Sequence, residues 1–247
     1  MIDIHTHLWD WRETPDFISE YMVSRGYFGE RDGASFFNTR SLLSAMDEAG
    51  VSPLADNAAT ELRQAIEGLG LRGLKLHPPM QMFDPGDVRC YAVYEQMQAY
   101  GLPILLHSGS GPTQLSDRYS NPHLVDEVAV HFPRLKIILA HAGRFWFQET
   151  LTMMRRHPNI YVDISANVGK ATGYGLLLAL LVAMKEVVGN VERVLFASDY
   201  PWYTLARMLE LLQQEKGASR ILPEPLQITD DDLQKIIDGN ARRLLAL

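Results

Sequence analysis

The chain has 247 residues, enough for one large domain or two small ones, and 47% of them are hydrophobic, which excludes wholesale disorder. Its formal net charge of −7, with no basic run in the sequence, argues against a nucleic acid or an anionic membrane surface as the main partner.

Short apolar runs alternate with helical stretches along the chain. Strands are predicted at residues 2–6, 72–76, 103–107, 136–140, 160–163 and 194–197. Helices are predicted at residues 39–49, 57–68, 91–100, 122–132, 147–156, 174–188, 202–216 and 229–247. This alternation indicates βαβ units and a parallel sheet, either doubly wound or closed into a barrel. The sequence lacks the glycine-rich phosphate turn that usually follows the first strand of a doubly wound fold.

An aromatic-rich segment, from Trp9 to Phe37, follows the first predicted strand. In a parallel barrel this segment overhangs the mouth as a lid, because the loops that follow the strands lie at that end. Its aromatic side chains suit a flat or cyclic organic substrate, with Trp9 as a candidate contact. The alternative is that they only pack the loop.

Polar residues with metal-binding chemistry mark the predicted strands. Three of the strands end in a histidine: His77, His107 and His141. The first strand carries His5 and His7 at alternate positions, and the carboxylate of Asp199 follows the last strand. In a parallel barrel the carboxyl ends of all strands converge on one face, where active sites are built. These side chains are therefore predicted to meet over one mouth.

The set predicts a divalent metal site, because imidazole and carboxylate are natural ligands of zinc and similar ions. His5 and His7 lie on one strand face, where either one ion bridges both rings or the two are hydrogen-bonded core histidines. His107 and Asp199 complete three imidazoles and one carboxylate, although each alone could be a structural polar residue. His141 is either a further ligand or a catalytic group beside the ligands, and Asp199 is expected to serve as ligand and as base together, since its second oxygen can accept a proton from water.

Other polar residues near the strand ends allow more than one role. His77 lines the pocket, binds substrate or holds the turn at Pro78. Lys75, on the same strand face, is either a carbamate bridging two metals or an ordinary ion-pair partner. Asp163 and Ser165 touch the substrate, support the site or serve only structural hydrogen bonds.

Five sequence motifs resemble the amidohydrolase superfamily of metal-dependent hydrolases, in the branch of aminocarboxymuconate-semialdehyde decarboxylase and related carboxy-lyases. They are IDIHTHL at 2–8, GLKLHP at 73–78, AHAG at 140–143, SDYP at 198–201 and GNARRL at 239–244. The resemblance implies a single (β/α)8 TIM-type barrel over residues 1–247 with a divalent metal ion, most often zinc. By motif position, His5, His7, His107 and Asp199 would be its ligands. His141 would steer or deprotonate the metal-bound water.

The sequence departs from that pattern in one region. At this place the family has two strands joined by a helix. This chain has only about twenty residues there, and most of them form one helix. A parallel crossover alone needs about a dozen residues. Strands 2 and 3 are therefore predicted to be missing from this sequence near Val51–Leu54. Either residues are absent from the sequence, or the chain has a true deletion and an incomplete barrel.

The leading functional hypothesis is a metal-dependent hydrolase that attacks an amide, ester or lactone bond of a small cyclic or carboxylated substrate. The alternative on the same site is a non-oxidative carboxy-lyase, and a more remote one is a metal-binding barrel without catalysis.

Assembly and location are also predicted. The segment 175–188 is apolar around most of its helical circumference, which predicts a partner subunit and hence a homodimer or higher homo-oligomer. No apolar run is long enough to cross a bilayer, and the start at Met1 resembles no signal peptide. With Cys90 as the only cysteine, no intramolecular disulfide can form, and the cytoplasm is the expected location.

Overall fold

The sheet of this protein is parallel and runs in chain order. The computed structural model describes residue 1 and residues 52–111, 115–167, 176–200 and 202–247. Within these residues five strands form one sheet in the order β1 to β5: β1 Leu74–Leu76, β2 Ile104–Leu106, β3 Ile137–Leu139, β4 Ile160–Asp163 and β5 Val194–Leu195. Each strand pairs in parallel with the next. An order without reversal is that of a barrel wall, whereas a doubly wound sheet reverses its order at a switch point.

Helices connect the strands along the chain. The α-helices are α1 Ala58–Leu69, α2 Pro78–Gln81, α3 Tyr91–Tyr100, α4 Asp126–His131, α5 Phe147–Arg156, α6 Leu176–Ala183, α7 Leu205–Ser219, α8 Asp230–Gln234 and α9 Asn240–Leu245. Short 3₁₀ turns lie at Val88–Cys90, Asp117–Tyr119, Pro122–Val125, Ala140–Trp146 and Glu224–Leu226. Single π turns, Met184–Val188 and Lys235–Gly239, extend α6 and join α8 to α9. No helix in the described residues is long and apolar enough to span a membrane.

The two faces of the sheet pack against different partners. Alternate strand residues such as Leu74, Ile104 and Ile137 join the large core beneath the helices. The residues between them, such as Leu105 and Ile138, form a smaller inner cluster: Leu105, Ile138, Ala140, Leu195, Ala197, Ala241 and Leu244. The last two belong to α9, so this helix covers the inner face of the sheet.

Side-chain hydrogen bonds fix α9 at the amino-terminal ends of the strands. Asn240 Nδ2 donates to the carbonyl oxygens of Val191 (2.8 Å) and Val194 (2.7 Å), at the start of β5. Lys136, just before β3, donates from Nζ to the carbonyl oxygen of Leu244. The amino-terminal end is thus closed by α9, and the polar residues of the inner face lie at the carboxyl end.

The described strands occur where expected: β4 has its predicted bounds, and the other four are shorter than predicted. The helices 91–100 and 147–156 are confirmed at both ends as α3 and α5. The predicted helix 122–132 is instead a 3₁₀ turn followed by α4, and the last helix begins after its predicted cap, Thr229. The predictions for strand 2–6 and helix 39–49 lie outside the described residues, as does Val51 of the suspected gap near Val51–Leu54; residues 52–54 are described and lie in a turn, where the amide of Ala55 donates to the carbonyl oxygen of Ser52 (3.0 Å).

Candidate active site

The predicted site residues within the described part of the chain lie at the carboxyl ends of the strands. His77 follows β1, His107 follows β2, and His141 follows β3. Asp163 ends β4, and Asp199 lies four residues beyond the end of β5. His5, His7 and Trp9 lie outside the described residues, so their roles stay predictions.

His77 and His107 form a stacked pair. Their ring centroids are 3.9 Å apart and the ring planes differ by 12°. His77 also caps α2, since its Nδ1 accepts a hydrogen bond from the amide of Met80 at 3.3 Å. The turn-holding role weighed for His77 is therefore present, while its contact with substrate stays a prediction.

The tautomer of His107 follows from its hydrogen bond. Nε2 lies 3.1 Å from the carbonyl oxygen of Gly109. A carbonyl oxygen only accepts, so Nε2 must carry the hydrogen, and the lone pair of a neutral ring is then on Nδ1. This is the arrangement of many metal-binding histidines, whose second nitrogen donates to a carbonyl.

His141 is buried between the other candidate residues. Its ring centroid lies 5.1 Å from that of His107, and its Nδ1 is 4.0 Å from Asp199 Oδ2. The same Nδ1 is 2.8 Å from Ser165 Oγ. The structure thus places His141 next to both His107 and Asp199, while the roles of these three residues stay predictions.

Asp163 and Ser165 contact His141 from the end of β4. Asp163 Oδ1 accepts hydrogen bonds from the amide of His141 (3.0 Å), the amide of Ser165 (2.9 Å) and the hydroxyl of Ser165. Asp163 is fully buried, with 0% exposure. These contacts support His141; a contact between Asp163 and substrate stays a prediction.

Asn167 completes this arrangement, and sequence reasoning missed it. Its Nδ2 donates to the carbonyl oxygens of His141 (2.8 Å) and Ser165 (3.0 Å). The signal for it was present, because Asp163, Ser165 and Asn167 are polar at every second position after an apolar strand.

Asp199 has an unusual backbone conformation. Its φ is 56°, in the left-handed region that non-glycine residues seldom adopt. Its carboxylate is buried and 4.0 Å from His141 Nδ1. Backbone strain of this kind clusters at functional sites. Burial raises the pKa of the neighbouring Tyr200.

The donor chemistry of this cluster fits a divalent cation. Neutral imidazole and buried carboxylate are the donors that zinc and related ions take in proteins. Within the described ranges, however, no three His, Cys, Asp or Glu residues lie close enough together to hold an ion. His107 and Asp199 would therefore need further ligands, and His5 and His7 are the predicted ones.

The family comparison agrees with the fold. The sequence model of the amidohydrolase family matches residues 49–247. No curated protein matches the chain significantly.

Solved structures share the fold. An uncharacterized TIM-barrel protein from Bordetella bronchiseptica is 27% identical, with a TM-score of 0.63 over 82% of this chain and 66% of that chain. A 5-carboxyvanillate decarboxylase from Sphingomonas paucimobilis is 22% identical, with a TM-score of 0.54 over 79% and 64%. An amidohydrolase from Burkholderia multivorans with bound zinc is 16% identical, with a TM-score of 0.57 over 79% and 71%. This chain spans about two thirds of the length of the first two proteins.

Proposed function

Since this chain belongs to the amidohydrolase family, we propose that it is a metal-dependent hydrolase acting on an amide, ester or lactone bond of a small organic substrate. The proposal rests on the buried pair His141 and Asp199 at the carboxyl end of the sheet, where His141 Nδ1 lies 4.0 Å from Asp199 Oδ2. A buried imidazole beside a buried carboxylate can act in acid–base catalysis. The carboxyl end of the strands is also where barrel enzymes have their active sites.

A divalent ion belongs to this proposal, and zinc is the one we propose. His107 and Asp199 would hold it from the described part of the chain, with His5 and His7 as the predicted remaining ligands. When bound, such an ion polarises a carbonyl oxygen and makes water more acidic. The zinc in the Burkholderia relative supports this choice of metal.

The residues of the chain would move the proton. His141 accepts a proton from the attacking water as the water oxygen bonds to the carbonyl carbon. It then returns that proton to the departing nitrogen or oxygen, so the ring ends the cycle neutral. Asp199 lies within reach of the same ring and favours its charged form, because an opposite charge stabilises imidazolium.

Decarboxylation is the second candidate reaction, and the position of Arg144 favours it. This half-buried arginine lies beside the turn after His107, since a Cβ added to Gly109 would be 3.4 Å from Arg144 Cβ. Its Nε is buried and has no hydrogen-bond partner in the described residues. A guanidinium so placed suits a substrate carboxylate. The activity in the name of the Sphingomonas relative agrees with a carboxylated substrate.

In that reaction the carboxylate leaves as carbon dioxide and the bonding electron pair stays on the ring carbon. That carbon then takes a proton, which His141 can deliver. The two candidate reactions therefore use the same buried acid–base pair and differ in which bond breaks.

The proposal can be tested with the zinc-reconstituted protein and two trial substrates, dihydrocoumarin as a lactone and 5-carboxyvanillate as a carboxylated ring. Lactone opening supports the hydrolase, and release of carbon dioxide supports the decarboxylase instead. In either case His141→Asn is expected to lower kcat by about 10²–10⁴, the usual effect of losing a general acid–base group. The exposed His123→Asn serves as the matched control and is expected to keep full activity. Equal activity of His141→Asn and wild type would overturn the assignment.

A further inference from the structure

We propose that Asp163 and Ser165 are positioning residues that hold neutral His141 in its Nδ1-protonated tautomer, so that Nε2 is the nitrogen that exchanges protons with the substrate. The importance of this tautomer for turnover rests on the proposed function, whereas the tautomer itself follows from the hydrogen bonds around the ring.

The donors and acceptors of these hydrogen bonds can be assigned by starting from Asp163. Its Oδ1 receives the amide hydrogens of His141 (3.0 Å) and Ser165 (2.9 Å), so it is an acceptor. The Ser165 hydroxyl donates to the same oxygen. A serine hydroxyl has one hydrogen, and with that hydrogen directed at Asp163 the oxygen can only accept from His141. Nδ1 of His141, 2.8 Å away, must therefore be the donor.

The same segment also holds the backbone of His141. This residue has φ 59° and ψ 14°, and the next residue, Ala142, has φ 48°. Such conformations are unfavourable for residues other than glycine and persist only where the surroundings impose them. Here the amide of His141 donates to Asp163 and its carbonyl accepts from Asn167. Main chain and side chain are thus both fixed from the end of β4.

This arrangement gives Asp163 a role different from substrate contact. Its carboxylate has no exposure to solvent, and Oδ1 is directed at Ser165 and the amide of His141. The logic is that of a catalytic triad, in which a buried acid fixes the tautomer of the base.

The tautomer can be read directly by ¹⁵N NMR of the histidine side chains, at about pH 8, where a histidine of ordinary pKa is neutral. The chain has 8 histidines, and the signals of His141 are assigned by their loss in His141→Asn. In the full-length protein, with and without zinc, we expect a protonated Nδ1 and an unprotonated Nε2. In Ser165→Ala the Nε2-protonated form is expected to become substantially populated.

Ser219→Ala is the matched control. Ser219 is also fully buried, and its hydroxyl donates to the carbonyl of Lys216 (2.8 Å) and accepts from the amide of Ile228 (2.9 Å), but it lies in α7. Its loss is expected to leave the His141 signals unchanged. For turnover, Ser165→Ala is expected to lower kcat by about 10–100-fold with little change in KM, as for other groups that orient a functional histidine.

A wild-type His141 protonated on Nε2, or an unchanged tautomer in Ser165→Ala, would overturn the inference. These NMR measurements need no substrate, so their outcome can be distinguished from the outcome of the test of the proposed function. An inactive protein with the expected tautomer would refute the proposed reaction and leave the positioning role standing.

Discussion

At the scale of single residues, Arg144 is the proposed partner of a substrate carboxylate. Its half-buried guanidinium has a buried Nε without a hydrogen-bond partner in the described residues, next to the loop that follows His107. A hydrogen bond to a charged group contributes about 1.5–3 kcal/mol, which is roughly a 10–100-fold change in binding. Arg144→Ala is therefore expected to raise KM for a carboxylated substrate by that factor and to leave KM for a neutral lactone unchanged.

Steady-state kinetics with both substrates measure this. Arg118→Ala is the control, since Arg118 is exposed and, like Arg144 over Phe145 (5.8 Å), lies over an aromatic ring, with its Cζ 4.8 Å from the ring centroid of Tyr119. A KM for the carboxylated substrate that is the same in Arg144→Ala and Arg118→Ala would show that Arg144 does not bind the carboxylate.

The sequence was informative at single residues where a polar side chain follows an apolar strand. His107, His141 and Asp199 could be predicted in this way, because parallel strands bring their carboxyl ends to one edge. The hydrogen bond between Ser165 and His141 could not, because it depends on the left-handed backbone at His141, which the residue type does not encode. The alternation of polar residues pointed to Asn167, but its partners could not be predicted, because its hydrogen bonds go to main-chain carbonyls.

The turn after β3 is the element that carries His141. Gly143 within it has φ +72°, and a Cβ there would overlap Thr150 Oγ1 and approach Pro122 Cγ to 3.0 Å. Gly143→Ala is therefore expected to destabilise the protein by about 1–3 kcal/mol, from backbone strain and overpacking, and to displace His141. Urea unfolding measures the first effect and kcat the second.

The same substitution at Gly217 is expected to have the opposite effect on stability. It lies in α7, and a Cβ at this position meets nothing within 4 Å. Gly217→Ala is expected to stabilise the protein by about 0.5–1 kcal/mol, because alanine favours a helix interior more than glycine does. If Gly143→Ala were as stable as wild type, the close packing of the turn would not constrain His141.

Helix boundaries were predictable where local signals and tertiary packing agree. The helix α3 begins and ends as expected, with Gly101 after its last residue in a left-handed conformation. By contrast, α7 begins at Leu205 instead of Trp202, because the side chain of Thr204 accepts a hydrogen bond from the amide of Arg207 and caps the helix there. The apolar helix α6 buries Leu177, Leu180 and Leu181, and the partner subunit expected on its other side stays a prediction.

At the scale of the whole molecule, the described sheet accounts for part of the expected barrel. The five strands lie in barrel order, and the family match begins at residue 49, before the first of them. The alternation of strands and helices was sufficient to predict this parallel wall. The first predicted strand, with His5 and His7, lies outside the described residues, so the complete ligand set stays a prediction.

Metal content is the measurement that tests the central claim most directly: that a divalent ion is held at the carboxyl end of the sheet by His107 and Asp199. Wild-type protein and the variants His107→Ala, Asp199→Ala and His123→Ala would be equilibrated with zinc, desalted and measured by mass spectrometry for metal per folded chain. Removing one of a few ligands greatly weakens an ion's binding. We predict about one ion per chain for wild type and for the exposed His123→Ala, and a large loss for the other two. Full metal content in folded His107→Ala and Asp199→Ala would contradict the account.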